Sequence, residues 1–428
     1  MLDHITIRQG LPPSSDGAPT QQLAQNDCRV SMAAILGGDY PGLRPSLKVV
    51  PGDPVCAGDI VFTDRKFPEI AFAAPVSGRV KSIDYGPRRT LSAITFEADQ
   101  ASPEIAPDGG HTGDMPQDDG QVDTVRKILL ARGFWPAFRT RPFGGIPVPD
   151  AQPDAIFVNA VQPSPQAPDP AIVLDQQIAE FQAGIEMLTR LTAGLVYVCL
   201  SPKAALGTFP DGVKSVQFSG TMAAGLTGTH IHHLHPVSPG SSVWSIGYQD
   251  VAAIGHLFKT GQYLCQRVVS ISGARATKPK LVRTCLGANL HDVCQDQMSF
   301  AQTQGAVEIW SGDRQAGREA AFLGRYDQQI TITSKTPERT WWQKLLRPSC
   351  APGALIPIAA LEQALAIDVL PVPLMRALSV GDSESANRLG CLALVEDDVA
   401  ALSQLCTSGA DYGVLLRAVL DELAEEMC

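Results

Sequence analysis

Residues 49–62 read Val-Val-Pro-Gly-Asp-Pro-Val-Cys-Ala-Gly-Asp-Ile-Val-Phe, and residues 74–80 read Ala-Pro-Val-Ser-Gly-Arg-Val. The pairs Gly52-Asp53 and Gly58-Asp59 are turn signals: glycine supplies a left-handed backbone and aspartate hydrogen-bonds nearby main chain. Turns this closely spaced leave room only for very short strands, and no helix can run through them. The strand-like run 91–96 follows. This part of the chain must be compact β-structure.

The pattern GDxVxxGDxVF…APxxGxV looks like a biotinyl/lipoyl-type barrel-sandwich hybrid. A carrier domain of that type offers a modifiable lysine on the hairpin between the two motifs, and here that hairpin holds Asp64-Arg65-Lys66. Lys66 is a candidate lipoyl or biotin site, or else a surface lysine on a borrowed fold. Neither the lipoyl Asp-Lys pair nor the biotin Met-Lys-Met pattern is complete.

The rest of the 428 residues leaves room for several further domains. A net charge of −10 argues against a duplex nucleic-acid partner, which needs a basic footprint. The most apolar stretch, 356–375, is broken by Glu362, Asp368, Pro371 and Pro373, so no segment is expected to span a bilayer. The first eight residues carry no signal-peptide pattern, and the ten cysteines include no C-x-x-C. They read as cytosolic thiols, without the clustering that iron–sulfur sites need.

Residues 99–123 hold seven acids and no Lys or Arg, and read as a solvated linker. A second break is expected at 335–353, where three prolines surround Trp341-Trp342. Within the middle region, 155–160 and 195–200 read as buried strands. Asp169-Pro170 offers a helix start, Ile178, Phe181, Ile185 and Leu188 form one helical stripe, and Gly194 serves as the stop. A β–α–β unit of this kind predicts a parallel sheet. A strand over 241–247 and a helix from Asp250 to Gly261 extend it. From Arg267 the period changes to two, with strands at 267–272, 279–284, 307–310 and 330–333 around a short helical piece at 289–294. Short helices follow at 358–370, 374–378, 383–389, 397–405 and 412–426, the last with Val414, Leu415, Val419 and Leu423 inward. The expected fold class is α+β multidomain. It comprises a barrel-sandwich hybrid (1–100), an acidic linker (101–124), a Rossmann-like α/β domain (125–262), a β-grasp domain (263–335) and a helical C-terminal domain (354–428).

Three constellations could carry chemistry. His230, His232, His233 and His235 fall within six residues, and in a strand His230 and His232 would share a face. Remote ligands at metal spacing are missing, so packed histidines in a loop entering a strand are the alternative to a metal site. Residues 132–143 carry Phe134, Trp135, Phe138 and Phe143 with Arg132, Arg139 and Arg141. Aromatic faces beside guanidinium donors suit a flat conjugated ligand, or equally a docking loop. Gly144-Gly145 follows, but without a nucleotide fingerprint, and prolines 147 and 149 remove N–H donors, so neither a flavin nor a nicotinamide site is supported.

The chain resembles the A-subunit family of the bacterial Na⁺-translocating NADH:quinone reductase nearly end to end. The resemblance is carried by 36–46, 55–80, Arg141-Pro-Phe143, 228–232, Tyr248-Gln-Asp-Val251, 278–283, Ala321-Phe-Leu-Gly-Arg-Tyr326, Gly390-Cys-Leu392 and Glu396-Asp-Asp398. It implies a peripheral subunit on the cytoplasmic face of the inner membrane, in a complex that passes electrons from NADH to ubiquinone and exports Na⁺. It also implies that flavins and iron–sulfur centres sit on partner subunits, that no cofactor or metal is held tightly here, and that membrane contact is indirect, through a membrane subunit. The family is related in fold to the flavoprotein subunit of complex I and to the C subunit of the Rnf complex. Two departures stand out: Leu402 replaces a cysteine usual between Cys391 and Cys406, and the family has other residues at His233 and His235. Joined to the reading of the residues, the resemblance points to a quinone-accessible surface formed by Tyr40, Arg44, Phe138, Arg139, Arg141 and Phe143. The alternatives are a free-standing carrier using Lys66 and a purely structural adaptor.

Overall fold

In the computed structural model, residues 3–25, 27–99, 122–202, 204, 206–238, 240–297, 307–335 and 353–427 are described. Most of the acidic segment, and the whole of Trp341-Trp342, lie outside them.

The chain opens with β1 (Asp3–Ile7) and then builds a small sandwich from β2 (Met32–Leu36), β3 (Pro45–Leu47), β4 (Pro54–Val55), β5 (Ile60–Asp64), β6 (Ala71–Ala73), β7 (Gly78–Tyr85) and β8 (Leu91–Ala98). A four-stranded sheet, β2-β8-β7-β4, faces a three-stranded one, β3-β5-β6. The Gly-Asp corners work as their chemistry predicts. Gly52 and Gly58 have φ of 99° and 92°, while Asp53 and Asp59 accept the backbone N–H of Val50 (2.9 Å) and Cys56 (2.7 Å). Phe62 stacks on Phe72 at 4.3 Å between the sheets.

The α/β region follows with α1 (Val122–Ala131), β9 (Arg139–Arg141), β10 (Ala155–Ala160), α2 (Pro170–Val173), α3 (Ile178–Thr189), β11 (Leu195–Leu200), β12 (Val213–Gly220), α4 (Thr227–Leu234), β13 (Val243–Gly247) and α5 (Tyr248–Thr260). Its six-stranded sheet runs β1-β12-β11-β10-β13-β9, parallel except for β9. Several expectations need correction. The first strand does not belong with residues 1–100 as a unit: β1 pairs with β12 in the α/β sheet. Helix α1 begins at Val122, inside the expected 101–124 linker. The helix started by Asp169 lasts one turn, since Asp169 caps Ala171 and α3 restarts after Gln177. Gly194 does not cap α3, whose C-cap is Arg190. Instead a Cβ at Gly194 would lie 1.8 Å from the Asp154 carbonyl oxygen, so its role is close chain approach. Helices α3 and α5 pack through Gly184 and Gly255.

The third region comprises β14 (Gln266–Ser272), β15 (Lys280–Cys285), α6 (Leu290–Val293), β16 (Val307–Ser311), β17 (Arg318–Glu319) and β18 (Gln329–Ser334). Its mixed sheet, β15-β14-β18-β16-β17, has parallel β14 and β18 at its centre. Helices α7 (Ala359–Glu362), α8 (Pro371–Val380), α9 (Ser383–Arg388), α10 (Glu396–Leu405) and α11 (Tyr412–Met427) close the chain around their own core. The expected helix over 358–370 shrinks to the single turn α7. On α11 the buried stripe is Leu416, Val419, Leu420 and Leu423, and Val414 is 65% exposed. The four-histidine segment is helical, not a strand, so its expected alternation of faces does not form.

Candidate functional site

The aromatic segment 132–143 is mostly core. Trp135 and Phe138 are fully buried and tile against Trp244 at 5.3 and 5.6 Å. The Trp135 indole N–H donates to the Pro147 carbonyl (2.8 Å). The Phe138 ring is therefore spent on packing and presents no face to a ligand, which corrects the expectation made for it.

The arginines of β9 turn the other way, toward α10. Arg139 donates to Asp397 (3.0 Å) and Glu396 (3.4 Å), and Arg141 donates to Asp398 (3.2 Å). Arg417 of α11 donates to Glu396 (2.6 Å) and to the Phe143 carbonyl (2.7 Å). Phe143, in the left-handed region at φ 74°, packs on the C-terminal core. A Cβ at Gly144 would lie 2.6 Å from Val395, so the Gly144-Gly145 turn is stoppered by the helical domain. Arg139, Arg141 and Phe143 are thus all engaged by the chain's own C-terminal helices.

Tyr40 and Arg139 do approach each other, through Tyr326. The Tyr40 ring is 6.4 Å from that of Tyr326, and the Arg139 guanidinium lies 5.1 Å from the same ring. Tyr40 is buried, so this meeting lies beneath the surface. Arg44 is exposed elsewhere, its carbonyl accepting the Arg65 N–H at the foot of the Lys66 hairpin. Lys66 itself is exposed at that hairpin. His230 is buried with its Nε2–H donated to the Ala224 carbonyl (2.7 Å), and burial pulls its pKa down to about 4. Among the described residues no group of three or more His, Cys, Asp or Glu is placed to hold a metal ion.

A cavity of about 400 Å³ lies where all four regions meet. It lies beyond the carboxyl ends of β10 and β13, lined there by Asn159, Val161 and Gly247. Asp250, in the first turn of α5, receives Arg325 (2.8 Å) and Arg267. Burial opposes its charge, but these two guanidiniums outweigh it and hold the carboxyl below its usual range. Asp39 accepts the Arg325 N–H (2.8 Å) and an Arg318 guanidinium N–H. Asp327 is pushed up to about 6 by burial, against the Ser311 hydroxyl and the charge of Arg318. The pair Arg141–Asp398 is poorly compensated: burial pushes each partner toward its neutral form, despite their mutual attraction.

Three family models match: the NqrA N-terminal barrel-sandwich hybrid domain over residues 5–99, the NqrA second alpha/beta domain over 121–263, and the NQRA C-terminal domain over 268–320. The A subunit of the Na(+)-translocating NADH-quinone reductase of Pasteurella multocida is 36% identical, covering 99% of this chain and 100% of that protein. Those of Klebsiella pneumoniae and Glaesserella parasuis are 37% and 36% identical over the same shares. The chain belongs to this NqrA family. A solved chain of an NAD⁺-reducing [NiFe]-hydrogenase aligns with a TM-score of 0.36 and 12% identity over 71% of this chain and 61% of its own, too far away to carry an argument.

Family membership bears out the resemblance read from the sequence, and with it the barrel-sandwich start of an α+β multidomain chain. The cavity is lined by residues of the family-like runs to which the sequence alone assigns no site. Tyr248 and Asp250 come from one such run, Arg325 and Tyr326 from a second, and Glu396 to Asp398 from a third. Their shared presence in those runs is the available signal. What the sequence cannot show is that they converge.

Proposed function

We propose that this chain serves as the peripheral subunit of a Na⁺-translocating NADH:ubiquinone reductase, taking part in the quinone-reduction step or organising its site. The carrying observation is end-to-end similarity to named subunits, at 36% identity over 99% of the chain. Among the described residues no helix is long and apolar enough to cross a membrane. Attachment through a membrane subunit, on the cytoplasmic face, is consistent with that. In this reading flavins and iron–sulfur centres belong to partner subunits, and the chain itself holds no cofactor tightly.

The quinone-facing surface then reduces to what is accessible. Arg44 is exposed, Arg139 and Phe143 are half-buried, and Tyr40, Arg141 and Phe138 are buried. A lost donor to a quinone carbonyl costs ~1–3 kcal/mol, or roughly 5- to 150-fold in affinity. In the purified complex, Arg44→Ala is expected to raise the quinone KM while NADH oxidation by an artificial acceptor stays intact. Unchanged quinone kinetics in an assembled complex would place the ring on another subunit. Failure of the chain to co-purify with membrane partners would overturn the assignment as a whole.

A further inference from the structure

We propose that a small pocket beside the main cavity binds a primary alkylammonium ion, an aliphatic amine in its protonated form. The proposal does not rest on the quinone reading.

The pocket, of about 100 Å³, lies between the segment after β1, the start of α4, the β16–β17 turn, the residues after α7, and α10. Its walls are mainly apolar, built from Leu11, Met222, Leu226, Leu365 and Ile367 with several alanines. An engineered apolar cavity of about 150 Å³ holds benzene, so a body of about four or five heavy atoms fits here. Three carboxylates are set into these walls, Asp313, Asp397 and Asp398, and the described residues lining the pocket include no Lys, Arg or His. Leu226 and the same three carboxylates also line the main cavity, which gives a ligand its way in.

Acidity alone makes no ligand site, since the protein's own cations can satisfy it. Asp397 is satisfied in this way by Arg139 (3.0 Å). Asp313 forms no ion pair among the described residues and accepts the backbone N–H groups of Gln315 and Ala316 (both 2.7 Å). Burial, with the nearby charge of Asp397, pushes its carboxyl up, an effect that a cation reverses. Asp398, 2% exposed, is bonded at one oxygen only. Its Oδ2 accepts from Arg141 (3.2 Å) and from the Val395 N–H (2.9 Å), while Oδ1 has no donor among the described residues.

Thr229 supplies an independent sign. It lines the same pocket at 1% exposure, and its hydroxyl makes no hydrogen bond among the described residues. The Asp398 Oδ1 lies close by, 2.3 Å from where a Cβ on the preceding Gly228 would be. Buried polar groups ordinarily find partners within the protein, so this pair of unused oxygens calls for a donor from outside. An ammonium offers three N–H donors and a full positive charge, and its alkyl chain suits the walls. An inorganic cation suits them less: among the described residues no group of three or more His, Cys, Asp or Glu is placed to hold a metal ion.

Calorimetric titration of the full chain with n-butylamine at neutral pH, where the amine is protonated, tests this. It is expected to bind, with n-butanol at least about tenfold weaker. Sodium chloride should weaken amine binding no more than equal potassium chloride. Asp313→Asn keeps an acceptor for both N–H groups but loses the charge, and should weaken binding about tenfold. Thr229→Val, of the same shape without the hydroxyl, should weaken it about fivefold. Absence of binding at millimolar amine would overturn the proposal. So would butanol binding as tightly, which marks a merely apolar pocket, specific displacement by sodium, or unchanged binding in either variant.

Discussion

Burial favours the neutral form of both Asp327 and His230, yet they act on stability with opposite signs. Asp327 is raised from 3.8 to about 6, so between these values the folded chain holds a proton that the unfolded chain has lost. Acidification through that window stabilises, and the stability is lost again as pH rises through 6. Asp327→Asn, which can still accept from the Ser311 hydroxyl, should be more stable than the parent at pH 7, with the gap closing toward pH 4. His230 is lowered from 6.5 to about 4, so the unfolded chain takes up a proton that the folded chain refuses, and stability falls as pH drops across that window. His230→Gln removes this loss, and its stability relative to the parent should improve steadily from pH 6.5 to 4. Urea unfolding at a series of pH values separates the two slopes. Single residues were the least legible level of the sequence. Phe134, Trp135 and Phe138 have the composition of a ligand face, but buried packing around Trp244 uses the same residue types. Only their neighbours in space tell the two apart.

Among elements, the contacts between α3 and α5 and between β9 and α10 are the most exacting. At Gly255 an added methyl would lie 1.8 Å from the Glu180 carbonyl oxygen. Gly255→Ala should lower stability in thermal unfolding by about 1–3 kcal/mol through overpacking, even though alanine is the better helix former by ~1 kcal/mol. Arg141→Ala strands the Asp398 carboxylate at 2% exposure and should cost about 3–5 kcal/mol. Arg141→Met combined with Asp398→Asn, which keeps an acceptor for the Val395 N–H, should recover most of that loss. A double variant as unstable as the single one would show that the charge pair is not the cause. Element identity was largely readable, because turn chemistry and periodicity are local: β10 and β11 match the expected strands at both ends. The misreadings fall where tertiary context decides, as with Val414, which lies next to the buried stripe of α11 but faces out.

At the scale of the molecule, the α+β multidomain class and its barrel-sandwich start were legible from turn spacing and periodicity, but the cavity was not. Asp39, Asp250, Arg325 and Asp398 come from distant parts of the chain and line one cavity only in the folded molecule. The sandwich unit presents Lys66 to solvent as a carrier hairpin would, yet its backbone N–H is committed to Asp64 (2.9 Å) and its ammonium lies 5.4 Å from the centre of the Phe67 ring. Together with the incomplete carrier motif, this predicts an intact mass for the native chain equal to that of its sequence. Added lipoyl or biotin mass would show otherwise. Strand β1 carries a different consequence, one for synthesis. It pairs Asp3 with Val216, and at about 5–20 residues per second its partner leaves the ribosome roughly 10–40 s later. For that interval the sandwich encoded just after β1 can fold, while β1 itself waits as an unpaired edge-seeking strand. Strand β1 is thus the first of the α/β sheet to be made, yet it cannot join that sheet until β12 follows, and chaperone contact during translation should concentrate on these opening residues.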